Sequence, residues 1–183
     1  MAIATQRILI VKTSSLGDVM HGLQVAQTLK ENDPGIEISW VTRRRFETLV
    51  KASSAFNHTF TFYRSEGVLA FIRLCRNLRQ QRFDKVLDFQ GLARSGLMTF
   101  FTKSKRKIGR SDAREGAAMF YRQLVPLPRS PDCRHPVDIL LEFCRVFGFE
   151  TEFKGRVLFS LKEADRVGQS ASVANPVRIV LGL

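Results

Sequence analysis

The chain has 183 residues, 44% of them hydrophobic and 15 of them Phe, with a formal net charge of +12. That length fits one large domain or one domain with part of a second, and the apolar content excludes wholesale disorder. A pI near 10.4 favours an anionic partner, whether nucleic acid, phosphorylated lipid or a phosphorylated small molecule, without choosing among them.

Cys75, Cys133 and Cys144 are odd in number and widely spaced, with no C-x-x-C. This argues against a disulfide framework or a cysteine-rich zinc site and fits a reducing cytosol, with each thiol a small buried hydrophobe. The first apolar run, "ILIV", ends at Lys12 and is too short for a signal peptide. No run approaches the ~20 apolar residues of a membrane span, so the expectation is a soluble protein that can touch a membrane surface.

"RILIV" (Arg7–Val11) is a continuous apolar run between polar residues, as in a parallel strand covered on both faces. From Gly17 to Lys30, Val19, Met20, Leu23 and Ala26 recur at helical spacing until "NDPG" stops the helix. "IEISWV" (Ile36–Val41) and "HTFTFY" read as strands, followed by a helix from Val68 to Gln81. "KVLDF" (Lys85–Phe89) is a further short strand, with a helix from Leu92 to Phe101. After the polar loop "PLPRSPDCRHP", a helix is expected from Val137 to Phe147, its apolar face carrying Leu140, Leu141, Cys144 and Phe147. "GRVLFSL" and "VRIVLGL" read as two more strands flanking a short helix.

This alternation predicts an α/β fold, a Rossmann-like parallel sheet with helices on both faces. Ligands of such sheets sit at the carboxyl ends of the strands, where "KTSSLGD" and "DFQGLARSG" fall. Both loops are therefore candidate site walls.

Ser15-Leu16-Gly17-Asp18 matches a capping box, with the acid also favoured by the helix dipole. The same placement suits a general base, a fixed and ionised carboxylate beside a strand end. His21 lies three residues on and shares a helix face with Asp18. The loop lacks both G-x-x-x-x-G-K-[ST] and G-x-G-x-x-G, and no G-x-S-x-G elbow occurs. His21, His58 and His135 have no metal-ligand spacing. Basic residues cluster at Arg43–Arg45, along Arg73, Arg76, Arg79 and Arg82, and from Lys103 through Lys105, Arg106, Lys107 and Arg110 to Arg114. The Arg73–Arg82 series reads as a solvated helix face. The last cluster fits either a solvated surface or forked anion contacts. No recognition helix or RNP-like aromatic pattern supports nucleic acid.

Four segments in order, "ILIVKTSSLGDVMH", "FDKVLDFQGLARSG", "RKIGRSDAREGAAMFYRQLV" and "HPVDILLEFCRVFG", resemble the ADP-heptose:lipopolysaccharide heptosyltransferases, a GT-B family, with heptosyltransferase I the nearest type. The resemblance implies inverting transfer of heptose from ADP-heptose to a Kdo-lipid A type acceptor, with Asp18 as general base and neither metal nor further cofactor. It makes Lys12, Thr13, Ser14, Ser15, Gly17, His21, Gln90, Gly91, Arg94, Ser95, Arg110 and Arg114 candidate acceptor-side residues. It also implies a cytoplasmic protein peripheral to the inner membrane, whose basic surface meets Kdo carboxylates, lipid A phosphates and anionic lipid, with no nucleic-acid partner. Gln24 stands where the family usually has Pro. Residues 1–155 would form the acceptor-binding domain, and 156–183 a linker and the truncated start of a donor domain of roughly 150 residues. On that expectation the chain alone has little or no transferase activity. The rival expectation is a non-catalytic binding module for anionic glycolipid.

Overall fold

A computed structural model describes residues 5–129 and 135–150. The strands and helix expected after Gly155, the thiol of Cys133 and the division at residue 155 lie outside the described residues.

Six parallel strands form one sheet: β1 (Arg7–Val11), β2 (Glu37–Arg43), β3 (His58–Phe62), β4 (Lys85–Asp88), β5 (Arg106–Arg110) and β6 (Gln123–Val125). Their spatial order is β3-β2-β1-β4-β5-β6, the doubly wound Rossmann-like order. Helices α1 (Leu16–Asn32) and α2 (Glu47–Ala52) connect β1 to β2 and β2 to β3. Helices α3 (Gly67–Gln80) and α4 (Ala93–Phe101) connect β3 to β4 and β4 to β5, and α5 (Pro136–Leu141) follows β6. Right-handed crossovers running in opposite directions from β1 put the first two helices on one face and the next two on the other.

The alternation of β1 fixes which core each face receives. Ile8 and Ile10 join Val19, Leu23, Val50 and Leu140 on one side, whereas Leu9 and Val11 join Leu74, Leu78 and Met98 on the other. Every β4 residue is buried, including Lys85. Its ammonium donates to Gln6 Oε1 at 3.1 Å and lies 3.8 Å over the Phe147 ring, so the stem stays in the core with its charge met at the edge. Trp40, fully buried on β2, packs edge-on against Phe56 and Phe89. Its indole N–H donates to the Lys12 carbonyl at 3.0 Å, tying the end of β1 to the core. Burial pushes the Cys75 thiol up to about 11 and that of Cys144 to about 12, consistent with apolar rather than reactive roles.

Among the described residues, the elements expected from sequence appear with ends shifted by no more than two residues, with one exception. The helix expected over Val137–Phe147 is α5 followed by a 3-10 segment, Glu142–Phe147. Leu140 with Phe143, and Leu141 with Cys144, are buried at a spacing of three, and the tighter winding stacks such pairs. Sequence periodicity leaves α2, β5 and β6 unseen. "RKIGR" has one apolar residue and reads as a basic cluster, but its backbone pairs with β4 at Lys85↔Arg106 through Asp88↔Gly109.

Gly109 on β5 faces Tyr121, and a Cβ there would overlap the phenol ring. Gly109→Ala is therefore expected to lower stability by about 1–3 kcal/mol through displacement of that ring. Denaturant unfolding checks this, and an unchanged midpoint would mean that the ring has room to move.

Candidate functional site

β1 and β4 are neighbours whose outgoing connections run to opposite faces, so a crevice opens beyond their carboxyl ends. Its foundation is Asp88, the last residue of β4 and fully buried. Asp88 Oδ1 accepts the N–H groups of Gln90 (2.9 Å) and Gly91 (3.0 Å), and Oδ2 accepts the Tyr121 hydroxyl (2.8 Å). Burial pushes this carboxyl above its ordinary value despite those bonds. The turn it shapes needs Gly91 at φ +68, a left-handed conformation that a side chain would strain.

Gln90 then reaches across to the other loop. Its Oε1 accepts the N–H groups of Thr13 and Ser14, each at 3.1 Å, and the Thr13 hydroxyl at 3.4 Å. The first turn of α1 follows immediately. Asp18 Oδ2 accepts the Ser15 N–H at 2.9 Å and the Ser15 hydroxyl at 3.1 Å, the acid-to-backbone half of the expected capping box. The buried ammonium of Lys12 stands 3.8 Å from the same oxygen and donates to the Phe89 carbonyl at 3.4 Å. All these contacts fall on Oδ2, and Asp18 Oδ1 makes no hydrogen bond among the described residues. Partial burial pushes the Asp18 carboxyl up, but the Ser15 bonds and the Lys12 charge outweigh it and hold the group below the ordinary carboxylate value. Lys12 is shifted down, by burial against the attraction of Asp18. The arrangement supplies an ionised carboxylate with one oxygen anchored and one open.

Two cavities flank the Gln90–Leu92 turn. The smaller, about 330 Å³, is lined by Lys12, Asp18, Gln90, Gly91, Arg110 and Arg114, six of the residues expected from sequence. Arg110, at the end of β5, makes a forked pair with Asp112 at 2.8 and 2.6 Å, so part of its donor capacity is already committed. Arg114 donates its backbone N–H to the Gly91 carbonyl at 2.9 Å, closing the wall.

The larger cavity, about 630 Å³, takes in Thr13, Ser14, Gln90, Arg94 and Ser95 together with Arg43, Arg64, Phe62 and Phe71. Arg43 Nε is buried with no hydrogen-bond partner among the described residues. Burial, then the charges of Arg64, Arg45 and Arg94, lowers the proton affinity of its guanidinium. Three arginines thus face one hollow in which, among the described residues, Glu115 is the only acid, and Glu115 accepts the Ala93 N–H at 3.1 Å. Such a hollow suits a ligand that brings negative charge.

Three expected residues line neither cavity. Ser15 and Gly17 form the start of α1, and among the described residues nothing beyond its own helix turn and chain neighbours lies within 4 Å of where a Gly17 Cβ would be. His21 sits deeper on α1 with its ring edge-on to His135 at 4.9 Å, a pairing that the sequence separation hides. Ser95, although at the edge of the larger cavity, is buried and bonds both the N–H and the carbonyl of Leu92, a structural cap of α4. Sequence reasoning missed Asp88, Asp112, Tyr121 and Arg64. A carboxylate closing an otherwise apolar buried strand, "KVLD", is the signal that could have singled out Asp88.

Replacing Lys12 by Met removes the attraction that favours the Asp18 anion. The Asp18 pKa is expected to rise in that variant, read by carboxyl-carbon NMR titration. No movement would leave the Ser15 bonds, with the smaller influence of His21, as the cause of the depression.

Comparison with known proteins agrees with this fold. The profile of Glycosyltransferase family 9 (heptosyltransferase) matches residues 71–179. The lipopolysaccharide core heptosyltransferase OpsX of Haemophilus influenzae is 30% identical over 148 residues, covering 79% of this chain and 41% of that protein. Lipopolysaccharide heptosyltransferase 1 of Salmonella typhimurium is 31% identical over 157 residues, covering 79% and 49%. The chain thus spans about half the length of the curated relatives it matches. Among solved structures, the E. coli heptosyltransferase WaaC with ADP-2-deoxy-2-fluoro heptose superposes at TM-score 0.70 and 26% identity, over 80% of this chain and 50% of that one. A glycosyl transferase family 9 protein from Veillonella parvula shares the fold at TM-score 0.73 and 15% identity, over 91% and 48%. The chain belongs to glycosyltransferase family 9, the heptosyltransferases.

Proposed function

We propose that this chain forms the acceptor side of an inverting heptose-transfer site in lipopolysaccharide inner-core synthesis, with ADP-heptose as donor and a Kdo-lipid A type acceptor. The observation that carries the reading is the Asp18 carboxylate, ionised and anchored through Oδ2, with Oδ1 open at the switch-point crevice. The acceptor hydroxyl binds at Oδ1 and gives up its proton as its oxygen attacks the anomeric carbon from the face opposite the leaving ADP. Lys12 and Ser15 keep the base deprotonated and still, which removes reorientation from the barrier. Arg43, Arg64 and Arg94 receive the carboxylates or phosphates of the acceptor, with Arg114 on the opposite wall. A donor assignment to ADP-heptose rests on family membership and on the ligand named for the WaaC structure. The proton step so described needs no metal, since the Asp18 carboxylate takes the acceptor proton, and the resemblance to the family implies none for the charge that develops on the departing ADP. The anionic, lipid-linked acceptor is also the ground for placing the protein at the inner face of the cytoplasmic membrane.

A second reading, a non-catalytic module that binds anionic glycolipid, draws on the same uncompensated arginines. Asp18 separates the two. In a heptose-transfer assay on this chain joined to the donor half of a family member, Asp18→Asn is expected to lower kcat by about 10²–10⁴-fold with little change in acceptor affinity. Acceptor binding that survives with no turnover in either protein would favour the binding module. The pH profile provides a sign check. The folded-state pKa of Asp18 is depressed, so the base stays ionised until the pH falls below the ordinary carboxylate range, and the acid limb of kcat is expected there. Arg43→Gln is expected to weaken binding of a soluble Kdo-bearing acceptor roughly tenfold or more, in a titration at fixed salt, through loss of a charge-assisted contact.

A further inference from the structure

The outward face of α3 carries both exposed aliphatic side chains and unpaired arginines. Val68 is 72% exposed, Leu69 71% and Ile72 40%. With ~100° per residue these three fall on one arc with Arg73, Arg76 and Arg79. The amino-terminal half of the face is therefore apolar and the carboxyl-terminal half basic. Beside it, Phe101 of α4 joins Phe71, Ile72, Cys75, Arg76 and Arg79 around a groove of about 430 Å³. Phe100 is 52% exposed, and the Lys107 ammonium stands 5.1 Å over its ring and donates to its carbonyl.

Charge decides what can cover this face. Gly67 to Phe83 contains four arginines and no acid, and Gln90 to Ser111 contains six Lys or Arg and no acid. Among the described residues no ion pair involves Arg73, Arg76 or Arg79. A second copy would bring the same sign of charge against it, and nucleic acid offers nothing to Val68, Leu69 and Ile72. An anionic lipid surface satisfies both halves, with the aliphatic side chains entering the headgroup boundary and the long basic stems reaching the phosphates. The apolar tip also adjoins the anion-binding hollow, because Val68 and Phe71 line the cavity that holds Arg64 and Arg94.

Resting on the transfer reading for its role, we propose that the α3 face and the Phe100–Phe101 edge of α4 dock this protein on an anionic membrane leaflet. Docking there sets the mouth of the arginine hollow at headgroup level, where a lipid-linked acceptor presents its charged sugars. The Arg73–Arg79 series, which sequence alone assigns to a solvated helix face, thereby acquires a partner.

Vesicle co-sedimentation of the full chain tests this, using phosphatidylethanolamine–phosphatidylglycerol vesicles against phosphatidylcholine vesicles, with no acceptor lipid in either. The wild-type chain is expected to bind the anionic vesicles and not the neutral ones. Arg73→Gln/Arg76→Gln/Arg79→Gln should weaken that binding on the order of a hundredfold, at roughly tenfold or less per basic residue. Leu69→Gln/Ile72→Gln should release the binding that persists in high salt. Unchanged vesicle binding by both variants, with circular dichroism showing both folded, overturns the proposal, as does a wild-type chain that binds neutral vesicles equally well. A dimer disrupted by these substitutions, with no vesicle binding, overturns it in favour of self-association. Binding of a soluble, delipidated Kdo-bearing acceptor should be equal in wild type and variants. If that binding is absent throughout while vesicle binding still depends on α3, the transfer reading fails and the docking surface stands.

Discussion

A single buried carboxylate organises the crevice. Asp88 closes β4 and spends its two oxygens on the Gln90 and Gly91 amides and on the Tyr121 hydroxyl. Those bonds set the turn from which Gln90 reaches the amides of Thr13 and Ser14, and the next residues begin α1 with Asp18 in its first turn. The relay works only because the strand order puts β4 beside β1. Leaving such a carboxylate without partners in the interior would cost several kcal/mol, so the loops are held to the geometry that satisfies it.

Two aspartates in one site are thus driven in opposite directions. Asp88 is wholly enclosed, and burial raises its proton affinity even with its bonds formed. Asp18 is part-exposed, met by Ser15 and Lys12, and its proton affinity is lowered. The first environment suits a fixed structural acceptor and the second suits a group that must be ionised when a hydroxyl arrives. Lys12 joins them, its carbonyl held by Trp40 in the core and its ammonium directed at Asp18. The capping and proton-accepting readings of Asp18 are therefore compatible, because one oxygen serves each.

Much of this was legible before any coordinates. Strands such as "RILIV" and "KVLDF" announce themselves by short, largely apolar runs, and α1 and α3 by helical spacing, so the parallel sheet and the two loops at its carboxyl edge follow directly. Strands β5 and β6, beyond β4 on one side of the sheet, were hidden because their stability comes from backbone pairing with β4 and with each other rather than from apolar side chains. Arg64 and Arg94 are thirty residues apart, and only the close approach of the loops after β3 and β4 puts them in one hollow. The pairing of His21 with His135 depends likewise on α5 packing along α1. Ser95 shows the opposite limit: its place in a loop motif marked it as a wall residue, whereas its hydroxyl is spent on the backbone of Leu92.

The central claim is that the open oxygen of Asp18 receives the acceptor. A crystal structure of the chain with a Kdo-bearing acceptor bound tests this most directly. The account predicts the attacking hydroxyl within hydrogen-bond reach of Asp18 Oδ1, about 2.6–3.2 Å, and the acceptor's anionic groups among Arg43, Arg64 and Arg94. An acceptor bound with its hydroxyls turned away, leaving Asp18 in contact with Ser15 and Lys12 alone, would contradict it.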